Sequence, residues 1–282
     1  MDNVVSATLD ISLKLPQSKP HAGPAVTMRQ REYLDPMLQV LELVKDYRGG
    51  KDWIRAVNQV SFEVRPGEIV GILGPNGAGK TTAIRCIAGI LRPTAGQVLI
   101  NGYDLVSHDT LAKQRLAFVP EVPALYDLLT VEEHMRFVAM CFNTLPQYER
   151  DGDMLLERYS LKDKKDELVA TLSKGMKQKL SVACALIHEA NVFLFDEPLI
   201  GIDPAGAAAF KQELRDIRNR GGCVLISTHL LDTAEKLCDR VVIFKRGTVI
   251  FQGTVEELRA TSQTKHENLE DLFLDLTNET PV

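Results

Sequence analysis

The chain has 282 residues, enough for one large domain or two small ones, and its 45 % hydrophobic and 25 % charged residues match an ordinary folded protein. A net charge of −5 gives no global footprint for nucleic acid, and no run of 18 or more apolar residues exists to span a bilayer. The start of the chain has no basic segment ahead of an apolar core, so no secretory signal is expected. Cys86, Cys141, Cys184, Cys223 and Cys238 are odd in number and scattered, mostly in apolar runs. That pattern predicts reduced core thiols and lacks the paired spacing of a zinc site.

Residues 1–36 contain Pro16, Pro20, Pro24 and Pro36 and little sustained periodicity, which predicts a loose N-terminal extension. From Leu38 the pattern sharpens. Leu38 to Val44 predicts a strand, Arg48 to Asp52 a turn, and Val60 to Val64 an alternating strand. Pro66 and Gly67 turn the chain into an apolar strand from Glu68 to Leu73.

Gly74, Pro75, Asn76, Gly77, Ala78, Gly79, Lys80, Thr81 and Thr82 follow at once and fit G-x-x-x-x-G-K-[ST]. An apolar strand leads in and a helical stretch, Thr82 to Ala88, leads out. In that setting the glycines let backbone N–H groups turn inward as an anion nest at a helix start. Lys80 is placed to reach the β- and γ-phosphates, and Thr81 to offer Mg²⁺ a hydroxyl oxygen.

Gln97 to Asn101 predicts another strand; with the earlier ones it suggests an antiparallel subsheet beside the phosphate-loop core. Residues 122–172 read differently: charged, helical and without a convincing strand. Thr130 and Glu133 have capping-box spacing, with an amphipathic helix expected from there to Cys141. The short apolar runs Leu116 to Val119, Val192 to Phe195 and Cys223 to Ile226 predict buried parallel strands. Arg240 to Phe244 and Thr248 to Phe251 flank Lys245, Arg246 and Gly247 as a hairpin. Near the end, Leu269, Leu272, Phe273 and Leu276 form one apolar helix face, expected to dock on the protein's own body.

Val192 to Phe195 ends in Asp196, Glu197 and Pro198. A carboxylate at the end of a buried strand beside a phosphate loop suits a metal, so Asp196 is assigned to Mg²⁺. Glu197 is assigned to orient, or accept a proton from, the attacking water.

With these motifs assembled, the chain resembles the ATPase subunit of ABC transporters over roughly residues 38–255. The likeness rests on Gly74 to Thr82, Leu172 to Gln178, Phe195 to Pro198, Leu199 to Pro204, and Ser227, Thr228 and His229. It implies an α/β P-loop NTPase core with a mostly parallel sheet, an antiparallel β subdomain and an inserted helical signature subdomain. The implied bounds are 1–36 for the extension, 37–260 for the ATPase domain with its helical part at about 122–185, and 261–282 for an acidic tail.

By the same resemblance, Tyr47 stacks on adenine. Ser173, Gly175 and Met176 lie in the signature that meets ATP on the opposite subunit. Asp203 couples the two sites, and His229 is the switch histidine. The family usually has Gln where Glu121 stands, and Leu-Ser-Gly-Gly-Gln where Lys174 and Met176 depart from it. Glu121 still offers a hard oxygen to Mg²⁺, with an added charge near the phosphates. Both departures resemble a subgroup of bacterial exporters with separate ATPase and membrane chains.

The implied function is ATP-driven transport, with export expected. It would run through a separate integral membrane permease by closure of a homodimer or heterodimer at the cytoplasmic face of the membrane. The alternative is an ABC-type ATPase acting on ribosomes or DNA. The absence of a Lys/Arg-rich arm and of a second ATPase unit in this sequence argues against it, and no nucleic-acid partner is expected.

Overall fold

A long hairpin opens the fold. The computed structural model describes residues 35–50, 52–261 and 269–277, so the extension expected over 1–36 falls outside it save for its last two residues. Strands β1 (Leu38–Gly49) and β2 (Asp52–Val64) run past their expected ends, pairing as far as Gly49 with Asp52. The expected five-residue turn shrinks accordingly. Glu42 and Gln59 sit at φ 49°, where the register slips and the ribbon bends. With β4 (Ala95–Ile100) and the short β5 (Tyr103–Asp104), the hairpin makes an antiparallel sheet in the order β2–β1–β4–β5.

The second sheet holds β3 (Ile69–Leu73), β6 (Leu116–Val119), β7 (Val192–Asp196), β8 (Cys223–Ser227), β9 (Arg240–Lys245) and β10 (Thr248–Gly253). Its order is β10–β9–β3–β8–β7–β6, parallel except for β10. Every residue of β3, β7 and β8 is buried, which explains their unbroken apolar runs. Because β3, β8 and β7 are neighbours, Ile72 and Asp196 both pair with Ser227. The three strands therefore release Gly74, Thr228 and Glu197 at one edge of the sheet, where ligands of parallel sheets gather.

Helix α1 (Lys80–Ile87) leaves the phosphate loop, and α2 (Asp109–Lys113) precedes β6. The helical block contains α3 (Val131–Cys141), α4 (Leu145–Arg158) and α5 (Lys174–Ile187). Thr130 Oγ1 accepts from Glu133 N at 3.1 Å, and Thr130 N donates to Glu133 Oε2 at 2.9 Å, closing the expected capping box. Such a cap stabilises a helix start by about 1 kcal/mol. The block shares one apolar cluster with β6, β7, β8 and helix α6 (Pro204–Asn219). It is therefore welded to the parallel sheet.

Helices α7 (Leu231–Leu237), α8 (Val255–Thr261) and α9 (Leu269–Thr277) complete the chain. Leu269, Leu272 and Phe273 pack on Leu73, Ala234, Val241 and Leu258, as the apolar face of α9 predicts. Burying each such side chain is worth about 1.5–3 kcal/mol. Among the described residues, no helix is long and apolar enough to cross a membrane. Cys86, Cys184 and Cys223 are buried free thiols, whereas Cys141 is exposed.

Candidate active site

The phosphate loop is shaped by glycines that no other residue could replace cheaply. Gly74, Gly77 and Gly79 have φ of 153°, 78° and 102°. A Cβ on Gly74 would lie 2.5 Å from Phe244 O, and one on Gly79 only 2.4 Å from Ala56 O. The loop is thus wedged between β2 and β9. The β9–β10 turn braces it from outside: Gly247 N donates to Ala78 O at 2.9 Å, and Asn58 N donates to Gly247 O at 2.8 Å. Helix α1 starts at Lys80 with no side-chain cap, so its first N–H groups face the concavity. Lys80 is buried, and its ammonium donates to the carbonyls of Gly74 and Pro75.

Beside the loop, Ser227 organises the two carboxylates. Its hydroxyl donates to Asp196 Oδ1 at 2.6 Å, and Glu197 N donates to Ser227 Oγ at 3.1 Å. Asp196 is only 1 % exposed, and its Oδ2 has no hydrogen-bond partner among the described residues. Burial pushes the Asp196 carboxyl above the ordinary carboxylate range. The Ser227 hydroxyl pulls it back, the nearby Glu121 charge adds to the rise, and Arg85 and Lys80 oppose it. An orphaned carboxylate oxygen, buried beside a phosphate loop, fits a cation. Among the described residues no three His, Cys, Asp or Glu side chains gather there. The remaining ligands would be Thr81, Glu121 at the edge, phosphate oxygens and water, the hard donor set Mg²⁺ prefers.

Glu197 and His229 lie in direct contact. His229 Nδ1 is 2.9 Å from Glu197 Oε2, and His229 N reaches the same oxygen at 3.4 Å. Glu197 is strained at φ 48°, held there by hydrogen bonds from its N–H to Ser227. The side chains are 13 % and 54 % exposed, so the pair opens to solvent through the histidine.

The signature residues occupy the start of α5, in the helical block. Ser173 caps the helix, its Oγ accepting from Met176 N at 3.3 Å. A Cβ on Gly175 would meet Gly201 O at 2.6 Å, so the helix start presses on the Leu199–Asp203 loop. Lys179 Nζ pairs with Asp203 Oδ1 at 2.6 Å, while Asp203 Oδ2 caps α6 through Gly206 N at 3.2 Å. The fold thus brings Ser173, Gly175 and Asp203 together in one chain. Glu121 follows β6, half-buried. Tyr47, 37 % exposed near the tip of the β1–β2 hairpin, does not join the core; Ile54 is its cross-strand partner, and Trp53 beside it is 70 % exposed.

Comparison with known proteins settles the family. The ABC transporter family model matches residues 57–200. The ABC-type transporter ATP-binding protein EcsA of Bacillus subtilis is 37 % identical over 237 residues, covering 84 % of this chain and 96 % of that protein. The chain belongs to the ABC transporter family. Nod factor export ATP-binding protein I of Burkholderia orbicola is 38 % identical over 203 residues, 72 % of this chain and 67 % of that protein. A solved structure of the ATP-binding subunit of an ABC transporter superposes with a TM-score of 0.81 at 36 % identity, covering 86 % of this chain and 99 % of that one.

This ABC protein is therefore an ATP-binding, ATP-hydrolysing subunit with the P-loop NTPase fold. Sequence reasoning assigned Asp196, Glu197 and His229 but overlooked Ser227, which holds both carboxylates. The signal was its place in Ser227, Thr228, His229, at the end of the strand beside β7. It also overlooked Gly247, whose brace on Ala78 spans 169 residues of sequence and leaves no local signature.

Proposed function

We propose that this ABC ATPase subunit drives export by opening and closing against a second ATPase subunit beneath a separate membrane permease. The observation that carries the reading is the contact of Glu197 with His229 next to the buried Asp196. Thr81 and Asp196, with Glu121 at the edge, would hold Mg²⁺, which when bound neutralises charge on the phosphates. Gly74 to Thr82 and Lys80 grip the triphosphate, and Tyr47 stacks on the base. Glu197 orients a water in line with the γ-phosphate, and His229 steadies the carboxylate and reaches toward the same phosphate.

Ser173, Gly175 and Met176 lie on the helical block, pressed to the Asp203 loop. Two chains facing each other would let each signature complete the other's phosphate loop. The Nod factor relative, named for export, supports the direction. Exposed apolar side chains, Val122, Tyr126 and Leu128 before α3 and Met140 on it, support a permease docking there, at the cytoplasmic face of the membrane.

Glu197→Gln tests this. The variant is expected to retain ATP binding, lose turnover by about 100-fold or more, and accumulate an ATP-dependent dimer in light scattering. Turnover near that of the unaltered chain would sink the role of Glu197. A monomer under saturating ATP would sink the shared site.

A further inference from the structure

Lys45 stands two residues before Tyr47 on β1, so both side chains fall on one face of the strand. Its ammonium lies over the Tyr47 ring, 5.3 Å from the centroid. It is anchored there by a hydrogen bond of 2.9 Å to Arg92 O. Among the described residues, no carboxylate lies within ion-pair distance of it, and the neighbouring Asp46 is taken by Arg55 at 2.8 Å. The positive charge of Lys45 is therefore held by a neutral carbonyl and directed at the ring.

Arg92 belongs to the segment that leaves α1, the helix that starts at the phosphate loop. That segment is bolted to β1 on both sides of Lys45. Thr94 N donates to Val44 O at 2.8 Å, and Asp46 N donates to Thr94 Oγ1 at 2.9 Å.

From this geometry we infer that Lys45 is a positioning residue for the nucleotide base. Its ammonium closes one face of the Tyr47 ring, leaves the other face for a purine, and ties that face in register with the phosphate loop through α1. The inference rests on the reading of Tyr47 as the adenine-stacking ring. Two effects act together. A cation on one face draws π density toward itself, so the opposite face repels the electron cloud of a stacked base less. The anchor at Arg92 also restricts the ring before the base arrives, which lowers the ordering cost of binding.

The test compares a ligand with a base against one without, using the full chain and Mg²⁺: ADP against inorganic pyrophosphate, by calorimetry. Lys45→Met keeps the stem and removes the charge. It is expected to raise the Kd for ADP about two- to fivefold and leave that for pyrophosphate unchanged, the range of a cation–ring contact. Lys45→Arg, which can cover the ring and reach the same carbonyl, restores ADP affinity. In a Tyr47→Ala background, Lys45→Met has no further effect. Equal weakening of both ligands, no change for ADP, or an effect that persists without Tyr47 overturns the inference. If Tyr47→Ala itself weakens ADP no more than pyrophosphate, it is the stacking reading that fails, and Lys45 falls with it.

Discussion

The proposed function assigns two helix starts of this chain to phosphate, and they are built in opposite ways. At α1 the N-cap is Gly79 at φ 102°, without a side-chain cap, and the loop before it is locked by backbone from β2 and β9. At α5 the N-cap is Ser173 in an extended conformation, and its own hydroxyl occupies the N–H of Met176. The first is a preorganised nest with free donors, so it can hold an anion alone. The second has one of its first-turn donors already taken by the cap, so it is a weaker nest, and an anion gains most from it when another surface brings it to the hydroxyl and the remaining N–H groups. The difference gives the proposed function a reason for one chain to carry both: in it the loop binds, while the signature recognises a phosphate that is already bound.

Matched glycine substitutions would break that contrast most directly. Gly79→Ala places a methyl where only 2.4 Å separates it from Ala56 O, at a φ that disfavours side chains. Nucleotide affinity is expected to fall about 100-fold in equilibrium binding, the scale of about 3 kcal/mol; unchanged affinity would show that the loop is not a rigid nest. Gly175→Ala meets Gly201 O at 2.6 Å instead, and should spread the signature from the Asp203 loop. Its ADP affinity should stay within about twofold of the unaltered chain while steady-state turnover drops about tenfold. A parallel loss of affinity would erase the distinction between the two starts.

The smallest effect sharpens the contrast from the far end of α5. His188 caps that helix, buried against the Phe142 ring with Nε2 unpartnered among the described residues. Burial pulls its imidazole down to about 4, and a backbone hydrogen bond at Gln114 offsets only part of this. The unfolded chain takes up that proton first, near 6.5. Stability is therefore intact above 6.5 and falls as pH drops toward 4. His188→Leu should flatten this part of the acid limb in thermal melts across that window; an unaltered slope would mean that the buried imidazole does not drive it.

Much of the site was legible because its chemistry is local. The loop from Gly74 to Thr82, the carboxylates after β7 and the histidine after β8 each follow an apolar strand, and strand order then brings them to one edge. Contacts across the fold were not legible. Nothing around Lys45 announces Arg92, and nothing around Gly175 announces Gly201, because such contacts depend on how loops pack rather than on period. The β1–β2 ribbon reads short in the sequence because Gln59, at positive φ, breaks the alternation just before Val60, and because the far end of β1, Lys45 to Gly49, is largely polar and lacks an apolar run.

The tip of that ribbon has a practical side. Trp53 is the chain's single tryptophan and stands in solvent six residues from Tyr47. All indole emission from this protein therefore originates beside Tyr47, where the proposed function places the base, and on that reading the subunit carries an unlabelled optical window on the arrival and departure of its fuel.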